Sequence, residues 1–392
     1  MENLFNVGGV ELPQPFKARR LGHVGFYYDD LAAAERFYTD ILGLRVSDYL
    51  KFDPEQPPAA IFISHCTDHH SMACISSGLA DKCDVDYLRG VTLNQISFQV
   101  GTLEEVVNGY RFIKERKIPI WRVGRDFPGS NWAFYCRDPD GYHVELFYGM
   151  EQIGWNRISK PVAMREVEGE EPSLPQRSEQ QEIHDALNDD VELYEGHKSE
   201  DLTSSDYVVG GVTLPRPFKV NKVGPVHLFV RDVEVSEAFY HDLFGLVVTE
   251  EVVWRGHRAV FMRLGADHHV LGLYPLAMRQ ELGFSELTTV MGTGIEVCSY
   301  LQLRDAVEYL DGLGLKRGPK VPSELLPGID HAISYIDPAG HCVLLYFSME
   351  QIGWDGKPRP AQQRRKIEAP WPESIAALSD TYADQTLLGP IG

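Results

Sequence analysis

Residues 20–44 read RLGHVGFYYDDLAAAERFYTDILGL, and residues 222–246 read KVGPVHLFVRDVEVSEAFYHDLFGL. Each stretch opens with aromatic and β-branched residues, which predict a strand, and continues with apolar residues at helical spacing. In the first stretch Asp30 can cap the helix and Gly43 can end it. The repeated order of strand and helix indicates that one structural unit occurs at least twice in the chain.

A second pair of matching segments closes each copy. Residues 137–156 read RDPDGYHVELFYGMEQIGWN, and residues 336–355 read IDPAGHCVLLYFSMEQIGWD. Two copies of one domain explain both pairs, and the acidic, polar stretch between them reads as a solvated linker with one short helix. We therefore divide the chain into a first domain, an acidic linker, a second domain and a C-terminal tail, at residues 8–156, 157–209, 210–355 and 356–392.

Each copy divides again into two similar halves. Three short strands are predicted after the strand and helix of residues 20–44, and the same order then restarts. This pattern predicts an α+β fold in which four βαβββ modules pair into two cup-shaped domains. Because side chains alternate between the two faces of a strand, every second residue should line the inside of a cup.

Composition limits the partners of the protein. The chain has 392 residues and a formal net charge of −20, which argues against a surface for nucleic acids or anionic membranes. No apolar run approaches the ~20 residues of a membrane-spanning helix, and the N-terminus lacks the apolar core of a signal peptide. The six cysteines show no paired spacing, which is typical of reduced thiols. We expect a cytoplasmic homo-oligomer whose partners are small molecules.

Three predicted strands of the first domain should direct His23, Gln95 and Glu145 into one cup. An imidazole, an amide oxygen and a carboxylate suit a divalent metal ion, and a buried carboxylate without a cation nearby would be costly. When the two halves of the domain are superposed, Ala73 falls opposite Glu145, so one position is left open for substrate. His143, two residues before Glu145 on the same strand face, is an alternative third ligand.

The second domain does not repeat this set. Alignment of the copies places apolar residues at the three ligand positions, namely Pro225, Ile295 and Leu344. The double histidine of the first copy, in TDHHSMACI, recurs in the second as ADHHVLGLY, with His269 as its second member. We interpret this second pair as a remnant of duplication and expect metal only in the first cup. In the first pair, His69 is expected to be a solvated turn residue.

The βαβββ modules, together with the segments LGHVGF and DPDGYHVELFY, resemble the vicinal oxygen chelate superfamily. Within it the chain is similar to the type I extradiol catechol dioxygenases, which hold Fe(II), or rarely Mn(II), by two histidines and one glutamate. Those enzymes cleave an aromatic ring next to two vicinal hydroxyls and insert both atoms of dioxygen. The resemblance implies that His23 and Glu145 are ligands. It also implies that His70 is a catalytic acid or base and Tyr135 the active-site tyrosine.

Two positions depart from the pattern of those dioxygenases. Gln95 stands in LNQISFQV where they carry the second ligand histidine, although glutamine is a metal ligand in glyoxalase-like members of the superfamily. Asp126 stands in VGRDFPGS where they usually carry a histidine, and we expect it at the substrate pocket. Trp132 and Phe147 are expected to add aromatic surface for a ring substrate. The site also lies in the first domain, whereas two-domain extradiol enzymes usually keep it in the C-terminal one.

Three functions are compatible with these residues. The leading hypothesis is a non-haem Fe(II) dioxygenase of the extradiol type that acts on a catechol-like aromatic with O2. The first alternative is a metal-dependent isomerase or lyase of the glyoxalase kind, which would favour a carboxylate where Ala73 stands. The second is a metal-free small-molecule binding protein, which would have no reason to keep His23 and Glu145 facing one another.

Overall fold

The computed structural model describes the chain in eight stretches, residues 4–79, 92–125, 128–165, 169–200, 204–286, 288–365, 371–379 and 381–382. Strands β1 (Phe5–Val7) and β2 (Val10–Leu12) form a hairpin that precedes the first large sheet. Its turn is Gly8–Gly9, with φ of 60° and 90°, which glycine adopts without steric cost. The sequence analysis did not predict this hairpin.

The first large sheet has eight strands. Strands β3 to β10 are, in chain order, Arg20–Tyr28, Arg45–Leu50, Ala60–Ser64, Met72–Ser76, Leu93–Gln99, Ile120–Arg125, Ser130–Arg137 and His143–Met150. Their order across the sheet is β4-β5-β6-β3-β7-β10-β9-β8. Strand β7 lies antiparallel to β3 and parallel to β10, so the two halves of the domain meet at the centre of the sheet.

A helix follows the first strand of each half. Helix α1 (Leu31–Arg36) is capped by the Asp30 carboxylate and continues into a π-helical turn at Phe37–Ile41. Helix α2 (Leu103–Glu115) is capped by Thr102 in the same way. Each half therefore has the predicted βαβββ order. Helix α3 (Glu179–Asn188) lies in the segment between the domains, with Ser178 as its cap.

The second domain repeats the arrangement. A hairpin of β11 (Tyr207–Val209) and β12 (Val212–Leu214) precedes a seven-stranded sheet with the order β14-β15-β16-β13-β17-β19-β18. The strands β13 to β19 of this sheet are Val220–Val230, Val247–Trp254, His257–Arg263, Leu271–Pro275, Val290–Val297, Ile329–Ile336 and Cys342–Met349. Its helices α4, α5 and α6 are Val233–Ala238, Met278–Glu281 and Tyr300–Gly312. The α+β fold with two cup-shaped domains is confirmed.

The fourth module departs from the predicted order. It has two regular strands after α6 instead of three, and at the place of the missing strand Arg317 forms a single bridge with Tyr335. Pro319 and Pro322 follow directly, and proline cannot donate a hydrogen bond to a sheet ladder. The strand is therefore interrupted where it would have to pair.

The two domains share one apolar core. It is built from the outer, helix-covered faces of both sheets, including Phe98 in the first domain and Phe244 in the second, whose ring centroids are 6.0 Å apart. Because alternate side chains enter this shared core, the intervening ones line the inner faces of the cups. None of the helices in the described stretches is both long enough and apolar enough to cross a membrane.

The segment after the first domain is anchored to it. Ser159 Oγ donates a hydrogen bond of 2.8 Å to Asp48 Oδ2, and Arg165 forms an ion pair with the same carboxylate. Glu182 on α3 pairs with Arg125 at 2.9 Å. The expectation of a purely solvated linker is wrong for these residues, because they neutralise charged groups that the first sheet buries.

Candidate metal centre

Three polar side chains meet at the centre of the first cup. His23 on β3, Gln95 on β7 and Glu145 on β10 come from three adjacent strands. His23 Nε2 lies 2.8 Å from Glu145 Oε2, and Gln95 Nε2 lies 2.9 Å from each of those two atoms. The three side chains are buried, with Glu145 fully excluded from solvent. The structure therefore brings together the three predicted ligands.

Strand register explains why these side chains converge. His23 pairs with Ser97 on β7, and Ser97 pairs with Glu145 on β10. Their neighbours Val24 and Leu146 point the other way, into the shared core. Alternation on paired strands thus places one polar layer on the inner face of the sheet.

The triad fits a divalent transition metal ion. Two ligand atoms about 2.1 Å from one ion and at right angles to each other lie about 3 Å apart. The separations of 2.8–2.9 Å within the triad match that spacing. A half-turn of the Gln95 amide would place its oxygen where its nitrogen now lies. An imidazole, an amide oxygen and a carboxylate are ligands for Fe(II) or Mn(II), and three ligands on one side leave positions for substrate.

Glu145 is held as a carboxylate by its neighbours. Tyr135 donates a hydrogen bond of 2.8 Å to Oε1, and Ser97 and Gln95 donate to Oε2. Burial alone would raise the pKa of Glu145, but the contact with His23 and these hydrogen bonds hold it below its usual value. The ligand is ready to bind a cation at neutral pH. Ser97 was not singled out by the sequence analysis, although it lies two residues after Gln95 on the same strand face.

His70 lies beside the triad without belonging to it. Its ring is 4.3 Å from that of His23 and 4.9 Å from that of Phe62. Burial lowers its pKa well below the usual value, and the neighbouring His23 and His69 lower it further, so His70 is neutral at pH 7. A neutral imidazole next to a metal position can accept a proton.

His69 connects His70 to a buried charge. The Nδ1 atoms of the two rings are 3.1 Å apart, and His69 Nε2 is 3.4 Å from Asp48 Oδ2. His69 is fully buried, so its expected place in a solvated turn is wrong. It packs against Gly129, whose φ of +86° and missing side chain leave room for the ring. The anchoring contacts of Ser159 and Arg165 with Asp48 complete this arrangement.

His143 occupies a different position on the inner face of β10. It stacks on Trp121 at 4.4 Å between ring centroids, and its Nδ1 lies 3.1 Å from the carbonyl oxygen of Asn94. Burial is the main cause that lowers its pKa to about 4. Within the described residues no group of three or more His, Cys, Asp or Glu side chains has metal-binding geometry. His23, Glu145 and His143 therefore do not form a triad, which favours Gln95 as the third ligand.

The three residues predicted to bind substrate do not all lie in the cup. Phe147 lies on the same face of β10 as Glu145, and its ring is 5.0 Å from that of His23. Trp132 lies on the opposite face from Tyr135 and packs in the shared core, so the expectation that it lines the cup is wrong. The reason is strand alternation, since Trp132 and Tyr135 are an odd number of residues apart on β9. Asp126 lies outside the described residues.

Two small apolar clusters flank the triad. One consists of Ala133, Tyr135, Phe147 and Met150 with Trp121 against them. The other consists of Ala60, Phe62 and Ala73 with Leu50 and Ile75 against them. Ala73, the predicted open position, thus belongs to an apolar wall. The two clusters make both sides of the cup apolar.

The second cup is filled instead. Fifteen buried side chains form a cluster on its inner face, including Phe261, Tyr274 and Leu344. Strand register places Gly292, and not Ile295, at the position of Gln95, because Thr293 pairs with Val343 as Ile96 pairs with Val144. The assignment of Ile295 to that ligand position is therefore wrong.

The double histidine of this cup is nevertheless retained. His269 Nε2 lies 2.9 Å from His227 Nε2, and His268 Nε2 lies 3.0 Å from Glu250. Arg364 forms an ion pair with the same glutamate. A chain of carboxylate, histidine and histidine therefore occurs in both domains.

Comparisons with known proteins show what the first domain is similar to. Residues 20–146 match the family model of the glyoxalase/bleomycin resistance protein/dioxygenase superfamily. The 2,2',3-trihydroxybiphenyl dioxygenase of Sphingomonas paucimobilis is 27% identical over 136 residues, which are 34% of this chain and 42% of that protein. The chain thus spans less than half the length of this curated relative.

Solved structures show the same fold over most of the chain. An extradiol ring-cleaving dioxygenase from Brevibacterium fuscum aligns with a TM-score of 0.56 at 17% identity, covering 86% of this chain and 73% of that one. A Mn(II)-bound glyoxalase from Novosphingobium aromaticivorans aligns with a TM-score of 0.53 at 13% identity, covering 87% and 85%. Residues 20–146 are therefore similar to the glyoxalase/bleomycin resistance protein/dioxygenase superfamily, and the chain as a whole has the two-domain fold of these structures.

Proposed function

We propose that the protein is a ring-cleaving dioxygenase of the extradiol type, which uses Fe(II) in the first cup to act on a catechol-like aromatic. The observation that carries this proposal is the combination of the His23–Gln95–Glu145 triad with two proton-bearing side chains at its margin, His70 and Tyr135. The superfamily match over residues 20–146 and the dioxygenase among the relatives support it.

The residues of the cup have separate tasks in this reaction. His23, Gln95 and Glu145 would hold the metal, and Fe(II), or Mn(II) in its place, would supply a redox-active Lewis acid for the reaction of a catechol with O2. His70 accepts a proton as the catechol oxygens are deprotonated, since burial keeps its imidazole neutral. Tyr135 holds Glu145 by a hydrogen bond of 2.8 Å and can turn its hydroxyl toward a bound oxygen atom. Phe147 packs against the ring.

The glyoxalase-like alternative is favoured by one observation, the amide at position 95. A neutral amide oxygen donates less electron density to a metal than an imidazole does, which suits Lewis-acid chemistry better than oxygen activation. Against it, Ala73 lies in an apolar wall with Ala60 and Phe62, so no carboxylate completes a four-ligand set there. A metal-free binding protein would have no need to direct the fully buried Glu145 carboxylate at His23.

Oxygen uptake separates these functions. The full chain would be reconstituted without oxygen, with Fe(II) and with Mn(II) in parallel, and then given O2 and a panel of catechols. We expect O2 consumption, a yellow ring-cleavage product, and both atoms of ¹⁸O2 in that product. His70→Phe should lower turnover by on the order of 10²–10⁴, whereas His269→Phe, its counterpart in the second domain, should not. Metal binding without O2 consumption on any catechol would contradict the proposal.

The same proposal includes the location of the protein in the cell and its oligomeric state. We propose that the enzyme works in the cytoplasm as a homo-oligomer with a small aromatic substrate. Sedimentation analysis of the purified chain tests the assembly, and fractionation of the source cells tests the location.

A further inference from the structure

We propose that the first cup contains a second polar subsite, formed by Asn94 and His143, that accepts hydrogen bonds from a neutral O–H or N–H substituent on the ring of the substrate. The inference rests on the proposed function, because it assumes that a ring lies with its vicinal oxygens at the His23–Gln95–Glu145 triad. It names the class of catechol that the enzyme would select.

The subsite lies one layer along the sheet from the triad. The triad occupies the layer in which His23 pairs with Ser97 and Ser97 with Glu145. His143 precedes Glu145 by two residues on the same strand face, and two residues of a strand span about 7 Å. A substituent on the opposite side of a catechol ring lies at a similar distance from the two catechol oxygens.

A β-bulge turns Asn94 into the cup. Gly25 pairs with Gln95 and Phe26 with Leu93, so Asn94 has no partner in the register and shares the inner face with Gln95. Its Nδ2 donates a hydrogen bond of 2.6 Å to the hydroxyl of Tyr27 on β3. A Cβ atom at Gly25 would lie 3.0 Å from Asn94 Oδ1 and 3.1 Å from Gln95 Cγ, so the glycine leaves the room that these two side chains occupy.

Two buried polar atoms in this layer lack a partner. Among the described residues, neither Asn94 Oδ1 nor His143 Nε2 has a hydrogen-bond partner, although the two side chains are only 3% and 2% exposed. Buried polar atoms are normally satisfied, so an unpaired pair beside the proposed metal site points to a ligand. The two residues are also joined directly, because His143 Nδ1 lies 3.1 Å from the carbonyl oxygen of Asn94.

Both unpaired atoms are acceptors. The Asn94 carbonyl can only accept, so His143 Nδ1 carries a hydrogen, and in the neutral ring Nε2 then presents a lone pair. Asn94 Oδ1 is an amide oxygen and also accepts. A hydroxyl, an amine or an amide N–H on the substrate would satisfy them. A methyl group would leave both unpaired, and a carboxylate has no hydrogen to donate to either of them.

Matched ring substituents test this subsite. The Fe(II)-loaded full chain would be titrated calorimetrically without oxygen with catechols that carry methyl, hydroxymethyl or carboxylate at ring position 3 or 4. At one of these two ring positions, we expect the hydroxymethyl compound to bind about ten- to a hundredfold more tightly than the methyl compound. His143→Phe, which keeps a ring to stack on Trp121, and Asn94→Leu should each reduce this preference toward unity. Gln99→Leu, at the far end of the same strand, should leave it unchanged.

The outcomes separate the subsite from the reaction. A hydroxymethyl preference without O2 uptake would support the subsite and contradict the dioxygenase. O2 uptake with equal affinity for methyl and hydroxymethyl compounds, or with the carboxylate bound most tightly, would overturn the subsite and leave the dioxygenase standing. A preference that survives both His143→Phe and Asn94→Leu would also overturn it. Failure of every catechol to bind would contradict both.

Discussion

At the scale of single residues, Gln95 sets the strength of the proposed metal site. A neutral amide oxygen is a weaker donor to a first-row divalent ion than an imidazole, and the exchange leaves the charge of the site unchanged. Gln95→His should therefore bind Fe(II) or Mn(II) more tightly, by on the order of tenfold, or about 1.4 kcal/mol. Competition with a chromophoric chelator measures the change, and Gln99→His on the same strand is the control.

The opposite substitution checks the same assignment. Gln95→Ala should lower metal occupancy, because two ligands from the protein remain instead of three. If occupancy is the same in Gln95→Ala and in the unmodified protein, Gln95 is not a ligand. His143→Ala would then have to be examined for metal loss, since His143 is the only other nearby candidate that the sequence predicted.

Trp132 illustrates a residue whose role depends on the face of its strand. Its indole packs in the shared core and is 6% exposed, whereas Phe147 approaches His23. Trp132→Ala should lower the free energy of unfolding by about 3–5 kcal/mol, as for other large buried aromatic side chains. The affinity of the folded Trp132→Ala variant for metal should be the same as that of the unmodified protein. Urea unfolding of the metal-free protein and a metal titration measure the two quantities, and reduced metal affinity without loss of stability would contradict this placement.

Single residues also show how far the sequence could predict the site. His23 and Glu145 were found because their motifs mark the first and last strands of a module, and strand alternation then placed them in the cup. Trp132 was misplaced because aromatic character alone does not reveal which face of a strand a residue occupies. Asn94 was missed because it faces the cup only through a bulge, and no pattern in the residues themselves indicates where a strand gains one extra residue.

At the scale of structural elements, the loop before β6 is fixed by contacts with β4 and with the segment after the first domain. Asp48 on β4 accepts hydrogen bonds from His69 and Ser159 and pairs with Arg165. Burial alone would raise the pKa of Asp48, but His69 and Arg165 hold it below its usual value. The sequence could not predict these contacts, because no motif links Asp48 to Ser159 and Arg165 in the segment after the first domain. The retained carboxylate–histidine–histidine chain in the filled second cup indicates a structural role.

This arrangement predicts a pH-dependent contribution to stability. Asp48→Asn leaves the buried Arg165 unpaired, which should cost about 3–5 kcal/mol at pH 7. An acid with a depressed folded-state pKa stabilises the protein above its unfolded-state pKa, and the contribution is lost as the pH falls through the folded value. The difference between the unmodified protein and the variant should therefore shrink as the pH falls below about 4. Urea unfolding of the metal-free protein measures it.

A matched substitution separates this effect from a general loss of charge. Glu250→Gln alters the equivalent carboxylate of the second domain, whose pKa is also lowered despite burial, through His268 and Arg364. We expect a loss of the same sign there. Asp305→Asn changes an exposed carboxylate and should be neutral within ~0.5 kcal/mol. Equal stability of Asp48→Asn and the unmodified protein at pH 7 would show that the contact does not anchor the loop.

At the scale of the whole molecule, the duplication extends to the contact between the domains. Tyr240 donates a hydrogen bond of 2.8 Å to Asp138, and in the reciprocal contact Tyr38 donates one of 2.9 Å to Asp337. Both aspartates begin a DPxG turn and both tyrosines follow the phenylalanine of an FY pair, so the repeats seen in the sequence also build the interface. The sequence predicted the copies but not that each donates a tyrosine to the other, because tyrosine at helical spacing is equally compatible with an internal core.

The aspartates of the two reciprocal contacts differ in pKa, and this difference leads to a final prediction. Burial raises the pKa of Asp138 to about 7, whereas the pKa of Asp337 is lowered despite burial, because His341 lies 3.0 Å away.

An acid whose folded-state pKa is raised contributes stability below its unfolded-state pKa, and this contribution is lost as the pH rises through the folded value. Asp138→Asn imitates the protonated acid at every pH. It should match the unmodified protein at about pH 4 and below, and it should exceed it by a margin that grows with pH to on the order of 4 kcal/mol near pH 7–8. Asp337→Asn should lower stability near pH 8 instead. Urea unfolding between pH 5 and 8 tests both, and parallel pH profiles for the unmodified protein and Asp138→Asn would contradict a raised pKa at the domain contact.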